Sequence, residues 1–236
     1  MRYMSKLNSL SVFFPIFNEE KNIPDLIKSA LEIIPEVALK YEIILVNDGS
    51  TDNTKKIAES FAKSNNCIKL INHSVNKGYG AALKTGIQNS NYNWIFFTDS
   101  DLQFDLNDLK LLIPHSKEYK IIVGYRKNRA DKAMRSINAK LYKFFIDLLF
   151  NIGIKDIDCA FKLFNSKLVK SQSLFSNSAF TNAELLYKIQ QEDVEIKEVA
   201  ISHHPRKYGR PTGAKFHVIT AALVDSIKLY FNASYK

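Results

Sequence analysis

The sequence holds only two cysteines, Cys67 and Cys159, among its 236 residues. Two thiols so placed fit a reducing compartment and offer no metal-ligand spacing. Long apolar runs are missing too. No window approaches the ~20 apolar residues of a membrane-crossing helix, and the longest candidates are interrupted by Asp147 and Asp225. Met1 to Asn8 has no apolar signal-peptide core. The expectation is a cytoplasmic chain that does not cross a membrane by itself. Low-complexity tracts and internal repeats are also absent, and no linker divides the chain into two domains.

What is present is basic. The net charge of +9 favours anionic partners such as nucleotides, lipid headgroups or nucleic acid. The cations form no single block. They gather between Arg126 and Lys143 and again between Arg206 and Lys215, which argues for local anion sites over a diffuse tail. A nucleic-acid surface would instead carry its basic residues along one face with stacking aromatics.

Apolar runs alternate with helical segments every twenty-odd residues, the pattern of βαβ units and a parallel, Rossmann-like sheet. Strands are expected at Leu10–Phe14, Tyr41–Asn47, Ile68–Ile71, Trp94–Phe97, Ile121–Arg126, Ala160–Phe164 and Val194–Ile201. Pro15 is expected to end the first strand, and Asn22 to cap the helix after it. Amphipathic helices are expected from Ala133 to Ile152 and from Phe216 to Phe231.

The fourth strand runs into Asp99-Ser100-Asp101-Leu102-Gln103. Open α/β sheets place their ligands at such strand ends. Two carboxylates one residue apart, turned onto one centre with a phosphate completing the shell, suit Mg²⁺ or Mn²⁺. Lys77, between Asn76 and Gly78 ahead of a helix, is a candidate phosphate contact. Planar guanidinium groups suit an anionic acceptor, which makes Arg126, Arg129 and Arg135 candidates. Arg206 and Arg210, on a loop with glycine and proline, are placed to close over a diphosphate or an acceptor.

Four pieces in register, Pro15-Ile-Phe-Asn-Glu-Glu20, Val46-Asn-Asp-Gly-Ser-Thr-Asp52, Asn76-Lys-Gly-Tyr-Gly80 and Asp99-Ser-Asp-Leu-Gln103, resemble the family 2 glycosyltransferases. The later pieces, Gly124-Tyr-Arg126, Asp156-Ile-Asp-Cys-Ala-Phe-Lys-Leu-Phe164 and His204-Pro-Arg-Lys-Tyr-Gly-Arg210, are similar to the dolichyl-phosphate mannosyltransferase branch. The resemblance implies a single GT-A domain over 9–215, with a nucleotide-sugar half at 9–103 and an acceptor half at 104–215. The helix of 216–236 would pack on or beside it.

The implied activity is an inverting, metal-dependent transfer of a hexose from a UDP- or GDP-linked donor to a polyprenyl phosphate. By the same resemblance Pro15, Phe17 and Glu19 surround the nucleoside, Asp48 bonds base or ribose, and Asp99 and Asp101 hold the metal with Gln103. Arg126 and Arg135 are the favoured acceptor-phosphate contacts. The chain departs from the branch at Asn182, where an aspartate is common, at Ala160, where glycine is common, and in carrying Asp158. Asp156, Asp158 and Glu184 are therefore candidate general bases, which keeps a saccharide or other hydroxyl acceptor open. A nucleotidyltransferase would need a glycine- and arginine-rich loop after the first strand, and Pro15-Ile-Phe-Asn18 is not one. An apolar stripe on the 133–152 helix leaves room for membrane-surface contact or a separate membrane partner.

Overall fold

The computed structural model describes residues 6–127, 133–209 and 216–234, with side chains described for 6–127, 141–209 and 218–231. One seven-stranded sheet carries the architecture, in the order β3-β2-β1-β4-β6-β5-β7. Its strands are β1 (Leu7–Ile16), β2 (Ala38–Asn47), β3 (Ile68–Asn72), β4 (Trp94–Thr98), β5 (Ile121–Arg126), β6 (Phe161–Asn165) and β7 (Ile196–Ile201). Only β6 runs against the rest. The helices are α1 (Ile23–Val37), α2 (Thr54–Ser64), α3 (Tyr79–Asn89), α4 (Leu109–Leu112), α5 (Ala133–Phe150), α6 (Ser166–Lys170), α7 (Thr181–Gln190) and α8 (Phe216–Ser234).

The central strands are apolar on both faces because helices cover both. Val12, Phe14, Ile43, Leu45 and Phe96 face one buried cluster with α1. Phe13, Ile44, Val46, Ile95 and Phe97 face the other with α3, α5, α7 and α8. Near-continuous hydrophobic strands are what a doubly covered parallel sheet requires. The chain winds outward through β1, β2 and β3, then returns to place β4 on the other side of β1. The crevice beyond the C-terminal ends of β1 and β4 is thus the topological switch point, where ligands bind in such sheets.

Two local expectations are corrected. β1 does not stop at Pro15, which pairs with Val46 and continues to Ile16. The β1–β4 ladder ends at Phe13. Pro15 turns its carbonyl to that side, where Ser100 Oγ donates to it at 2.9 Å, so its missing N–H costs no ladder bond. Asn22 makes no side-chain cap; its amide donates to Glu19 instead. Ahead of α2, Asp52 Oδ1 accepts from the Thr54 N–H at 3.0 Å.

Close packing through the sheet is tested at Gly86. A Cβ there would lie 2.3 Å from the Phe13 ring, itself stacked on Phe97. Gly86→Ala is expected to cost about 1–3 kcal/mol through overpacking, measured as a lowered urea midpoint with an unchanged m-value.

Candidate active site

Three turns meet at the switch point. The turn after β1 carries Glu19 and is tied to the loop after β2. Asn18 Oδ1 accepts from Thr51 N–H at 2.8 Å, and Glu19 N–H donates to Thr54 Oγ1 at 2.8 Å. The turn after β4 carries Asp99 and Asp101 and includes Leu102 at φ 61°. A leucine in the left-handed region is strained by about 1–3 kcal/mol, and here the strain lies next to Asp101. The third is the loop after β7. His204 N–H donates to the Gln103 carbonyl at 2.7 Å, and Gln103 Nε2 returns a bond to the His204 carbonyl at 3.1 Å. This clamp delivers Arg206.

Arg206 sits between the carboxylates of two other turns. Its Nη2 donates to Asp101 Oδ2 at 2.7 Å and its Nη1 to Glu19 Oε1 at 3.1 Å. Burial raises the Glu19 pKa, against the opposing pull of Asn22 and Arg206. Asp99, directly after β4, is half-buried. Burial first, and the Asp101 charge second, push it up to about 7. Tyr79, at the first position of α3, donates to Asp99 Oδ1 at 3.0 Å. Burial and the adjacent Asp99 charge raise that phenol well above its ordinary value. Tyr79 lies within a motif legible in the sequence, but its partner does not follow from spacing.

Asp48 is committed to its own surroundings. It accepts from His73 Nδ1 at 2.6 Å and from the backbone N–H groups of Lys77 and Gly78, each at 2.9 Å. The Lys77 contribution is thus its backbone; its side chain is exposed. Gly49 makes this approach possible. It holds φ +69°, and a Cβ there would meet the Asn76 nitrogen at 2.4 Å. Pro15 lies buried near the end of β1, and half-buried Phe17 lies on the turn leading to Glu19.

On the β5 side Arg126 and Asp156 form a bidentate pair, with Nε–Oδ2 and Nη2–Oδ1 both at 2.6 Å. Asp156 raises the Arg126 pKa above its usual value against the effect of burial. Asp158 is half-buried nearby and acts electrostatically on Arg126, Lys162 and Tyr142. Glu184 is wholly buried and takes the N–H groups of Phe175 and Ser176 at 2.9 and 3.0 Å, together with Lys188. His203 packs against Phe104, and His204 serves the clamp through its backbone. Arg129, Arg210 and the side chain of Arg135 lie outside the described residues.

The donor set fits a hard divalent cation. Two carboxylates stand close enough for one to raise the other, and a guanidinium already occupies the place of positive charge beside Asp101. The Gln103 amide is oriented by the clamp, so that its oxygen is the end available to a cation. No cluster of three or more His, Cys, Asp or Glu suited to a metal occurs among the described residues. A cation here would draw the rest of its shell from Gln103 and the substrate.

The Asp99 shift carries a sign. Between its unfolded value near 4 and about 7, the folded protein holds a proton that the unfolded chain has lost, so stability falls as pH rises through that window. In metal-free protein, Asp99→Asn is expected to flatten this fall, read as denaturation midpoints from pH 4 to 8.

The family model described as "Glycosyl transferase family 2" matches residues 11–172. The chain is 28% identical over 205 residues to dodecaprenyl-phosphate galacturonate synthase of Rhizobium johnstonii, spanning 85% of this chain and 60% of that protein. It is 31% identical over 214 residues to dolichyl-phosphate beta-glucosyltransferase of Dictyostelium discoideum, spanning 82% and 65%. The chain thus covers less than two thirds of these relatives' length. The crystal structure of glucosyl-3-phosphoglycerate synthase from Mycobacterium tuberculosis, in complex with Mn²⁺, UDP and glucosyl-3-phosphoglycerate, superposes with a TM-score of 0.70. That match has 18% identity and covers 93% of this chain and 80% of the other, a likeness of fold. With the family model covering more than half of its residues, the chain belongs to glycosyl transferase family 2.

Proposed function

We propose that this chain transfers a hexose, with inversion, from a nucleoside-diphosphate sugar to the phosphate of a polyprenyl lipid. The observation that carries the reading is the convergence of Glu19, Asp99, Asp101 and the Arg206 guanidinium at the β1/β4 switch point. The relatives named above act, by their names, on dodecaprenyl or dolichyl phosphate. A third, 26% identical over 214 residues, is the undecaprenyl-phosphate 4-deoxy-4-formamido-L-arabinose transferase of Proteus mirabilis.

Bound at Asp99 and Asp101, with Gln103, Mg²⁺ or Mn²⁺ would act as a Lewis acid toward the charge that builds on the departing diphosphate. The chain's own residues do the rest. Pro15, Phe17 and Glu19 flank the nucleoside, with Asp48 fixing the Lys77–Gly78 loop beside it. Arg206 exchanges its two carboxylate partners for phosphate oxygens, which a guanidinium can bind as a bidentate pair. Arg126, Arg129, Arg135 and Arg210 are the cations for the acceptor phosphate.

A phosphate nucleophile is already anionic and needs no general base. That agrees with the geometry. Asp156 has both oxygens on Arg126, and Glu184 is saturated by backbone N–H groups and Lys188. Asp158 is the remaining candidate base for a hydroxyl acceptor, so soluble saccharides belong in the assay.

The acceptor lipid implies a membrane surface. No helix among the described residues is long and apolar enough to cross a membrane. α5 and α8 are instead apolar on two opposite faces. Ile146, Phe150, Ala222 and Leu229 are buried, while Leu141, Phe144 and Leu148 are 62–72% exposed, with Val224, Ile227 and Phe231 outward on α8. A helix with a second, uncovered apolar face suits the interfacial layer.

Two outcomes are expected. With Mn²⁺, undecaprenyl or dolichyl phosphate and radiolabelled UDP- or GDP-sugars, wild type forms a glycosyl phospholipid. Asp101→Asn lowers kcat/KM by about a hundredfold or more; wild-type turnover in that variant, or transfer only to soluble hydroxyl compounds, refutes the reading. In flotation with anionic vesicles, Phe144→Glu with Leu148→Glu is expected to abolish a salt-sensitive association that wild type shows, at unchanged Tm.

A further inference from the structure

Asn182 lies at the second position of α7 and is 4% exposed. Its amide hydrogen-bonds the Tyr79 hydroxyl, which in turn donates to Asp99 Oδ1. The other end of the amide, Oδ1, is buried with no partner. Buried side-chain amides in folded proteins almost always have both ends engaged. Whichever way this one is turned, one end is left over. On the same side of the sheet, packed against the same cluster, the Tyr142 hydroxyl is likewise buried without a partner.

A buried polar atom without a partner calls for an explanation, and a bound ligand group is one. The position is built with care. Gly80, next to Tyr79, packs directly on Thr181, next to Asn182, and has no room for a Cβ, which would lie 2.0 Å from Thr181 Oγ1. The Gly80 N–H also donates to the Asn177 carbonyl at 2.9 Å. The starts of α3 and α7 are thereby locked together, which fixes Tyr79 against Asn182. The neutrality of the amide also has a reason. Burial and the Asp101 charge already disfavour ionisation of Asp99, and a third carboxylate at 182 would add to it.

We propose that Asn182 determines donor-sugar specificity, its unpartnered amide end pairing with one hydroxyl of the hexose while Tyr79 holds the amide in place. The ligand group is a neutral sugar hydroxyl, which both donates and accepts and so matches either end of the amide. The inference rests on the reading of this site as a nucleotide-sugar site and goes further by assigning one residue to one substrate group.

The test uses the full chain with Mn²⁺. Calorimetry measures UDP, GDP, UDP-glucose, GDP-mannose and the single-deoxy sugar analogues of both donors against wild type, Asn182→Ala and Tyr79→Phe. For the donor that binds, Asn182→Ala is expected to weaken binding about tenfold, the worth of one neutral hydrogen bond, while Kd for the bare nucleotide stays unchanged. One deoxy analogue should bind wild type and Asn182→Ala equally, because it lacks the hydroxyl that is read. Tyr79→Phe should reduce the same discrimination, which keeps the test informative if Asn182→Ala unfolds. Equal losses for every deoxy analogue, or an equal loss for the bare nucleotide, overturn the proposal and leave Asn182 the holder of a structural water only. Wild type binding neither donor overturns the site reading and the inference together; donor binding without lipid transfer overturns only the acceptor assignment.

Discussion

Two carboxylates at the end of one buried strand form a constraint that this molecule must answer. Asp99 and Asp101 are placed by β4, whose apolar body cannot move without opening both cores. Burial and mutual repulsion make two anions there unfavourable. The answers are arranged around them: a phenol hydrogen bond from Tyr79, the distant charge of Lys162, and a guanidinium brought across the crevice on the loop after β7. The site is thus organised for positive charge, and Arg206 supplies it when nothing else does. The same arrangement makes the loop after β7 responsive to whatever binds, because its tip is held to the site by charge.

Rigidity and adaptability are divided between the two sides of the crevice. On the β2 side, Asp48 is surrounded by fixed donors and the loop after β3 is braced by His73, whose other ring nitrogen meets Thr85 at 2.9 Å. On the other side, the loop after β7 is held by the Gln103–His204 clamp and by ion pairs such as Lys207–Asp25, which is exposed. Exposed pairs contribute about 0–1 kcal/mol, so the clamp, not the surface charge, sets how firmly Arg206 is presented. One wall of the crevice is thus fixed by buried hydrogen bonds to Asp48, and the other by a backbone clamp and charge pairs.

Much of this was legible in the residues. The strands show because a doubly covered sheet demands continuous apolar runs, and the 121–126 strand is found with the bounds its sequence predicts. The Asp99–Gln103 turn is legible because its two carboxylates directly follow such a run and stand in register with three other motifs. What was not legible depends on register and long-range closure. Pro15 reads as a strand end, but the neighbouring ladder stops two residues earlier, so the proline is harmless. Arg126 and Asp156 are 30 positions apart and meet only because β6 turns back beside β5. Arg206 reaches Glu19 across 187 positions, and no periodicity encodes that contact. Asn182 stands out in the sequence only as a departure; its unpaired amide is visible only once α3 and α7 are docked.

The one reversed strand has a topological effect. Every other strand delivers its final residues to the ligand edge, so the chain must then travel away through a helix before contributing again. β6 meets that edge with its opening residues. The segment that precedes it, Asp156 to Ala160, therefore arrives at the crevice directly from α5, with Lys162 beneath it gripping the carbonyls of Ile157 and Cys159. An outward-facing helix and a buried lysine-held turn become consecutive in the chain. A shift of that helix would reach the Arg126 partner, Asp156, along the chain, without passing through the sheet.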